Sequence, residues 1–240
     1  GKTKVFSFQQ GGDMLFWMRF IFASFLIVFC NLCSFAQEAG SIARMSGKAA
    51  IVSGDGLSRD VKVNDLVSVG DVIATPVGAE VVIKLKDNST IIVRAESKVK
   101  ISAFRFEKKP SDAVKTNLLS GALRAVSGQI SKGQPDNVKY ESGAATIGIR
   151  GTDIELAIIP EGKKDRAGIY NYVHSGETSM MLDTGESVVV EKEMTGFKPE
   201  TLKRGEARLQ LLRDRPAFLS SGGFDALLQQ LTAPRIPMIR

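Results

Sequence analysis

From about residue 40 onward, apolar residues recur at every second position. That is the period of a β-strand with one buried face, not of a helix. In the segment 79–86, Val81, Ile83 and Leu85 fall on one face; Asp87-Asn88-Ser89 is a turn cluster, and 90–94 returns as a partner strand. The segments 99–104 and 152–158 alternate in the same way. A third series runs from Ile169 to Val173, through Ser175-Gly176, along 178–182, round Asp183-Thr184-Gly185 and back along 187–190. A slip of one residue in any of these would turn its apolar face to water, so the pairing register is well specified. The pattern predicts an all-β fold: twisted sheets in a β-roll or solenoid-like sandwich of hairpins.

A second pattern punctuates the first. An apolar residue, two variable residues and a glycine recur at 67–70, 118–121, 173–176 and 202–205. Gly70, Gly121, Gly176 and Gly205 are therefore expected at turns where the backbone needs φ > 0. The spacing between copies is irregular, which speaks against a strict repeat array. The segments 107–112 and 128–137 are polar, contain Pro or Gly, and read as loops. Beyond residue 212 the period changes: Phe224, Leu227, Leu228 and Leu231 match a short amphipathic helix, followed by a loose tail. The helix and tail together form a separate C-terminal segment, 213–240.

The N-terminal part has a different character. Met18-Arg19 precedes an unbroken apolar run from Phe20 to Cys30, and Ser34-Phe35-Ala36 places small residues at the −3 and −1 positions of a cleavage site. Residues 18–36 therefore read as a secretory signal peptide, and 1–17 as an upstream extension outside the natural start. The rival reading is an uncleaved anchor, since 14–35 nearly reaches the ~20 apolar residues of a membrane span. If the segment is cleaved after Ala36, both cysteines, Cys30 and Cys33, leave with it. The remaining domain, 37–212, would then have neither a disulfide nor a cysteine metal site, and no cofactor is expected.

Composition narrows the function. The formal charge of +6 is spread along the chain in runs too short for a nucleic-acid footprint, such as 107–109 and 162–166. No Walker loop or Gly-x-Ser-x-Gly elbow occurs. Ser97-Lys98-Val99-Lys100 matches Ser-x-x-Lys, but it lies between strands and lacks companion motifs. The lone His174 sits beside a predicted turn and is expected at the surface. Asp153 and Glu155 would share one strand face about 7 Å apart. The Asp/Asn turns at Asp55, Asp87 and Asp183 lack the ligand comb of a calcium site. These carboxylates read as solvent-facing turn chemistry.

Several motifs, in order, resemble the periplasmic domain of the FecR family. Val69 to Thr75, then Gly78-Ala79 and the hairpin through 87–89, resemble its opening; Leu118 to Arg124 resembles its middle. Thr146-Ile147-Gly148-Ile149-Arg150-Gly151-Thr152-Asp153 resembles its signature, and 173–176 with the Gly185 hairpin its close. The signature residues Gly148, Arg150, Gly151, Thr152 and Asp153 are candidates for a structural or binding role. Arg150, with five donors, is expected to tie down carbonyls or an acidic neighbour, with Asp153 and Thr152 as candidate partners.

The resemblance implies a periplasmic envelope module, with the stand-alone exported type the nearer comparison because no segment for a sigma factor precedes the apolar run. The expected function is non-enzymatic: protein binding or signalling at the cell envelope, through sheet edges or loops. Two alternatives stand beside it. One is binding of an envelope glycan, for which Tyr170 and Tyr172 on one strand face are candidates. The other is a membrane-anchored regulator of a transporter and sigma-factor system, touching the membrane only through 14–35.

Overall fold

The computed structural model describes residues 36–219. The leader and the amphipathic segment 224–231 lie outside the described residues. Sixteen strands join one continuous sheet. Two long strands form its spine: β12 (Ala145–Ile159) and β13 (Gly168–Leu182), antiparallel along almost their whole length.

The sheet forks at β12. The first half of that strand pairs β11 (Val138–Ser142), and the second half pairs β10 (Ala122–Val126). From β11 one arm continues through β9 (Ala113–Ser120), β8 (Ser97–Arg105), β5 (Val72–Thr75) and β2 (Ala50–Val52) to β3 (Ser58–Asp60). From β10 the other continues through β7 (Thr90–Val93), β6 (Glu80–Leu85) and β1 (Glu38–Ser46) to β4 (Leu66–Ser68). On its far edge β13 carries β14 (Ser187–Val190) beside its second half and β15 (Thr195–Pro199) beside its first, with β16 (Gln210–Leu212) beyond β15. The ladders are antiparallel except β9 with β11.

The two arms curl toward each other. One apolar cluster takes Ile51, Ile73, Val99 and Ile101 from the first arm and Ile83, Ile91, Val93 and Leu123 from the second. Val81, Ile83 and Leu85 all enter it, as their alternation predicts. Arg59 on β3 ties the arms' ends: its guanidinium donates to Asp65 Oδ2 at 3.0 Å and to the Leu66 carbonyl of β4 at 2.9 Å. The all-β expectation holds, and the hairpin 80–93 forms as read.

Three local expectations need correction. The polar stretch 128–137 is not a plain loop: α1 (Gln129–Gly133) and a 3-10 turn (Pro135–Asn137) form there, because Ile130 is drawn into the core. The segment 173–176 is not a turn between strands, because β13 runs through it. The turn at 87–89 does not face solvent. Asp87 and Ser89 are buried, and the Asp87 carboxylate accepts from the Ser89 N–H and hydroxyl while the Asp87 carbonyl accepts from Gln129. Gly70, Gly121, Gly176 and Gly205 all adopt positive φ. Ser97 opens β8, a strand, so the Ser-x-x-Lys match is not on a helix. Among the described residues no helix is long and apolar enough to cross a membrane.

Candidate functional site

The signature segment lies inside β12, at the fork. Before the fork Ile147 and Ile149 point into the core; after it Ile154 and Leu156 do. Inward positions thus change from odd to even. The change is made by a bulge: Arg150 pairs Glu177 and Asp153 pairs Ser175, leaving Gly151 and Thr152 opposite the single residue Gly176. A second irregularity at His174 makes the matching change on β13. Gly151 has φ +59° and Gly176 has φ +78°, so glycine meets a backbone need at the hinge of both strands.

The bulge is secured from β10. Thr152 donates its N–H to Ser127 Oγ, and its carbonyl accepts from the Ser127 N–H, both at 2.9 Å. Asp153 takes two hydrogen bonds from Arg124, from Nε at 2.9 Å and Nη2 at 2.7 Å. This is the bidentate fork that a guanidinium offers a carboxylate. The partner of Asp153 is therefore Arg124, not Arg150 as the sequence suggested. Arg150 stands exposed, opposite Glu177.

Arg150 lines a groove of about 480 Å³ on the outer face of β11–β14. Its floor is Gly148, paired with Lys139 on one side and Ser179 on the other, with Val189 next in the row. A Cβ on Gly148 would come no nearer than 4.0 Å to its surroundings. Gly148 also has no positive φ, so internal packing does not require a glycine there. One wall is apolar, with Met181 43% and Val189 51% exposed; the other carries Asp136, Lys139, Arg150 and Glu177.

The second half of the spine presents a different outer face. Glu155 is buried, and its Oε1 lies 2.5 Å from both His174 Nε2 and Arg215 Nη2. His174 is thus not a free surface imidazole. The carboxylates at 153 and 155 are not a pair; each is committed to its own cation. Tyr170 and Tyr172 do share this face, but the segment 214–219 covers them. Phe218 meets Tyr170 edge-on at 4.9 Å, and the Arg215 guanidinium lies 5.4 Å from the centre of the Tyr172 ring. Their burial removes the exposed aromatic row that glycan binding would use.

Two participants were missed in the sequence. Arg124 appeared there only as part of a motif, and Arg215 not at all. Their partners lie 29 and 60 residues away, and only the topology brings them together. Among the described residues no group of three or more His, Cys, Asp or Glu side chains gathers as a metal site.

A forked sheet hinged on a glycine-rich spine strand defines a β-rich domain whose signature lies at the branch point. Residues 71–177 match the family model described as FecR protein. The match runs from the start of β5 to the hinge of β13. Two solved structures of a proposed anti-sigma factor from Parabacteroides distasonis ATCC 8503 are similar at 12% and 11% identity, with TM-scores of 0.46 and 0.45. The chain spans 59% of their length and is itself covered over 60%. A cell surface anchoring domain is similar at 23% identity and a TM-score of 0.26, over 27% of this chain and 84% of that one. No curated protein matches in sequence.

Proposed function

We propose that the chain is an exported, non-enzymatic module of the cell envelope, acting in the periplasm in signalling by binding another protein. The observation that carries this reading is the groove over Gly148. A glycine that neither backbone nor packing demands keeps a concavity open between an apolar wall and Arg150. The free edge of β14 borders it. Among the described residues that strand pairs only β13, and it carries no Lys or Pro to guard its unpaired backbone groups.

The occupant we assign is an extended segment of a partner protein, added along β14, with an aliphatic side chain against Met181 and Val189 and a carboxylate toward Arg150. A second copy of this chain fits less well. Pairing two four-residue edges would bury far less than the ~1,200 Å² of a stable interface. The chemistry of the other face also favours a binding role: Glu155 is neutralised by Arg215, and the Nε2 of His174 is taken up by Glu155.

The test is a photo-crosslinking amino acid at Val189 in cells, with and without Gly148→Leu. The expected result is one reproducible adduct that disappears in the Gly148→Leu variant, whose thermal midpoint stays near that of the parent. An adduct pattern indifferent to Gly148→Leu and to Arg150→Glu would refute the assignment.

A further inference from the structure

The segment from Arg213 to Leu219 lies across the outer face of β10, β12 and β13 as a strap. Thr195 donates its hydroxyl to the Asp214 carbonyl at 3.1 Å, Phe218 meets Tyr170 edge-on, Leu219 packs with Ala157 and Tyr172, and Arg215 reaches Glu155 and the Leu219 carbonyl. Arg215 is the polar centre of this attachment, yet its Nε is buried without an acceptor among the described residues. That leaves the seat imperfectly satisfied and lowers the cost of releasing it.

The anchor is shared. Arg215 Nη2 and His174 Nε2 sit at the same distance, 2.5 Å, from the same Glu155 oxygen. With a neutral imidazole donating its Nε2–H, one carboxylate serves one cation. A proton on His174 sets two cations on one oxygen, and the fixed one is His174, held in β13. Of the other charged groups, Arg124 on β10 and Asp153 on β12 pair with each other, Arg213 and Asp214 on the strap are exposed, and so are Glu191, Lys192 and Glu193 in the loop whose backbone bonds to Val173. Tyr172 offers only its ring, edge-on to His174 and beneath Arg215.

We propose that the strap 213–219 is a proton-released latch: charging His174 displaces Arg215 from Glu155 and loosens the strap from the Tyr170–Tyr172 face. Histidine is the side chain that ordinarily changes charge between about pH 5 and 8. The coupling is reciprocal. Whatever lifts the strap also makes the charged imidazole easier to hold.

Amide hydrogen exchange on the full chain tests this. Rates are corrected for intrinsic pH dependence and compared at about pH 7.5 and about pH 5.5. In the parent, protection over 215–219 should fall about tenfold at the lower pH, in the usual range of coupled sites, while 154–157 stays constant. His174→Gln should keep the strap protected at both values, and Arg215→Met should leave it open at both. If His174→Gln disturbs the core amides, the parent alone still decides. It has a single histidine, so its imidazole titration is unambiguous, and the strap must loosen with the same midpoint. Equal protection at both values, the same fall in a folded His174→Gln variant, or a separate midpoint would each overturn the latch.

Discussion

Asn171 Nδ2 donates to Thr178 Oγ1 at 2.7 Å, although both lie on β13, seven positions apart. A straight strand would put them roughly 23 Å apart. Both side chains are buried, so the bond lies inside the angle where the spine folds over. It joins the two halves of one strand across the core and marks how sharply the hairpin bends.

Removing one partner of that bond should cost more than removing both. Thr178→Val strands the Asn171 amide in the core, where its Oδ1 already lacks a partner among the described residues. The expected loss is about 1–3 kcal/mol in urea unfolding. The double variant Asn171→Leu with Thr178→Val should recover part of it. A strictly additive double variant would mean that the two groups are not coupled.

The two hinge glycines should differ in tolerance. Gly151→Ala meets only an unfavourable backbone, because nothing lies within 4 Å of its Cβ position. The expected cost is about 1–2 kcal/mol, partly recovered by Gly151→Asn, since asparagine tolerates the left-handed region. Gly176→Ala adds a clash: its Cβ would lie 2.6 Å from the Gly151 carbonyl and 2.8 Å from the Thr152 methyl. It should cost clearly more, with no rescue by Asn. Equal thermal midpoints for Gly151→Ala and Gly176→Ala would contradict the hinge geometry.

Thr152 carries the opposite expectation for a signature residue. Its Oγ1 is buried without a partner among the described residues, while its backbone makes the bonds to Ser127. Thr152→Val should therefore leave stability unchanged or raise it by up to about 1 kcal/mol. A loss above that in denaturant titration would show that the hydroxyl has a partner in solution.

Much of this fold is legible from alternation alone. Val81, Ile83 and Leu85 commit their strand to one face, and the turn at 87–89 closes the hairpin where the pattern puts it, though buried and not in solvent. What the pattern conceals is the behaviour of residues that break it. Alternation through 147–156 changes parity at Gly151-Thr152, and in a sequence that looks like the end of one strand and the start of another. Only the partner strand shows that β12 is continuous and that the missing beat is a bulge. The same holds at Val173–Gly176, where a glycine inside a bent strand resembles one in a turn. The site was partly legible for a related reason. Gly148 and Arg150 were singled out, but their meaning depends on which face they occupy after folding. The cations at 124 and 215 are invisible locally because their carboxylates come from distant parts of the chain.

Glu206 gives the clearest acid dependence. Its carboxylate accepts two bonds from the Arg166 guanidinium, one from the Lys203 N–H at 2.8 Å and one from Gln210 Nε2 at 2.8 Å. The Arg166 hydrogen bonds come first among the causes that hold this carboxyl well below the usual carboxylate range. Arg166 in turn donates to the Thr201 carbonyl, and its own carbonyl accepts the Tyr170 hydroxyl, so the pair pins the loop after β15 to the approach of β13. A carboxyl lower in the folded than in the unfolded chain stabilises the fold above the unfolded value, about 4.3, and that contribution is lost as pH falls from there through the folded value. The parent should therefore unfold at higher urea than Glu206→Gln by a constant margin above about pH 5, and the margin should close steadily below about pH 4. Urea midpoints measured across that range check it. Curves that stay parallel into strong acid would show that the Arg166–Glu206 pair does not form in solution.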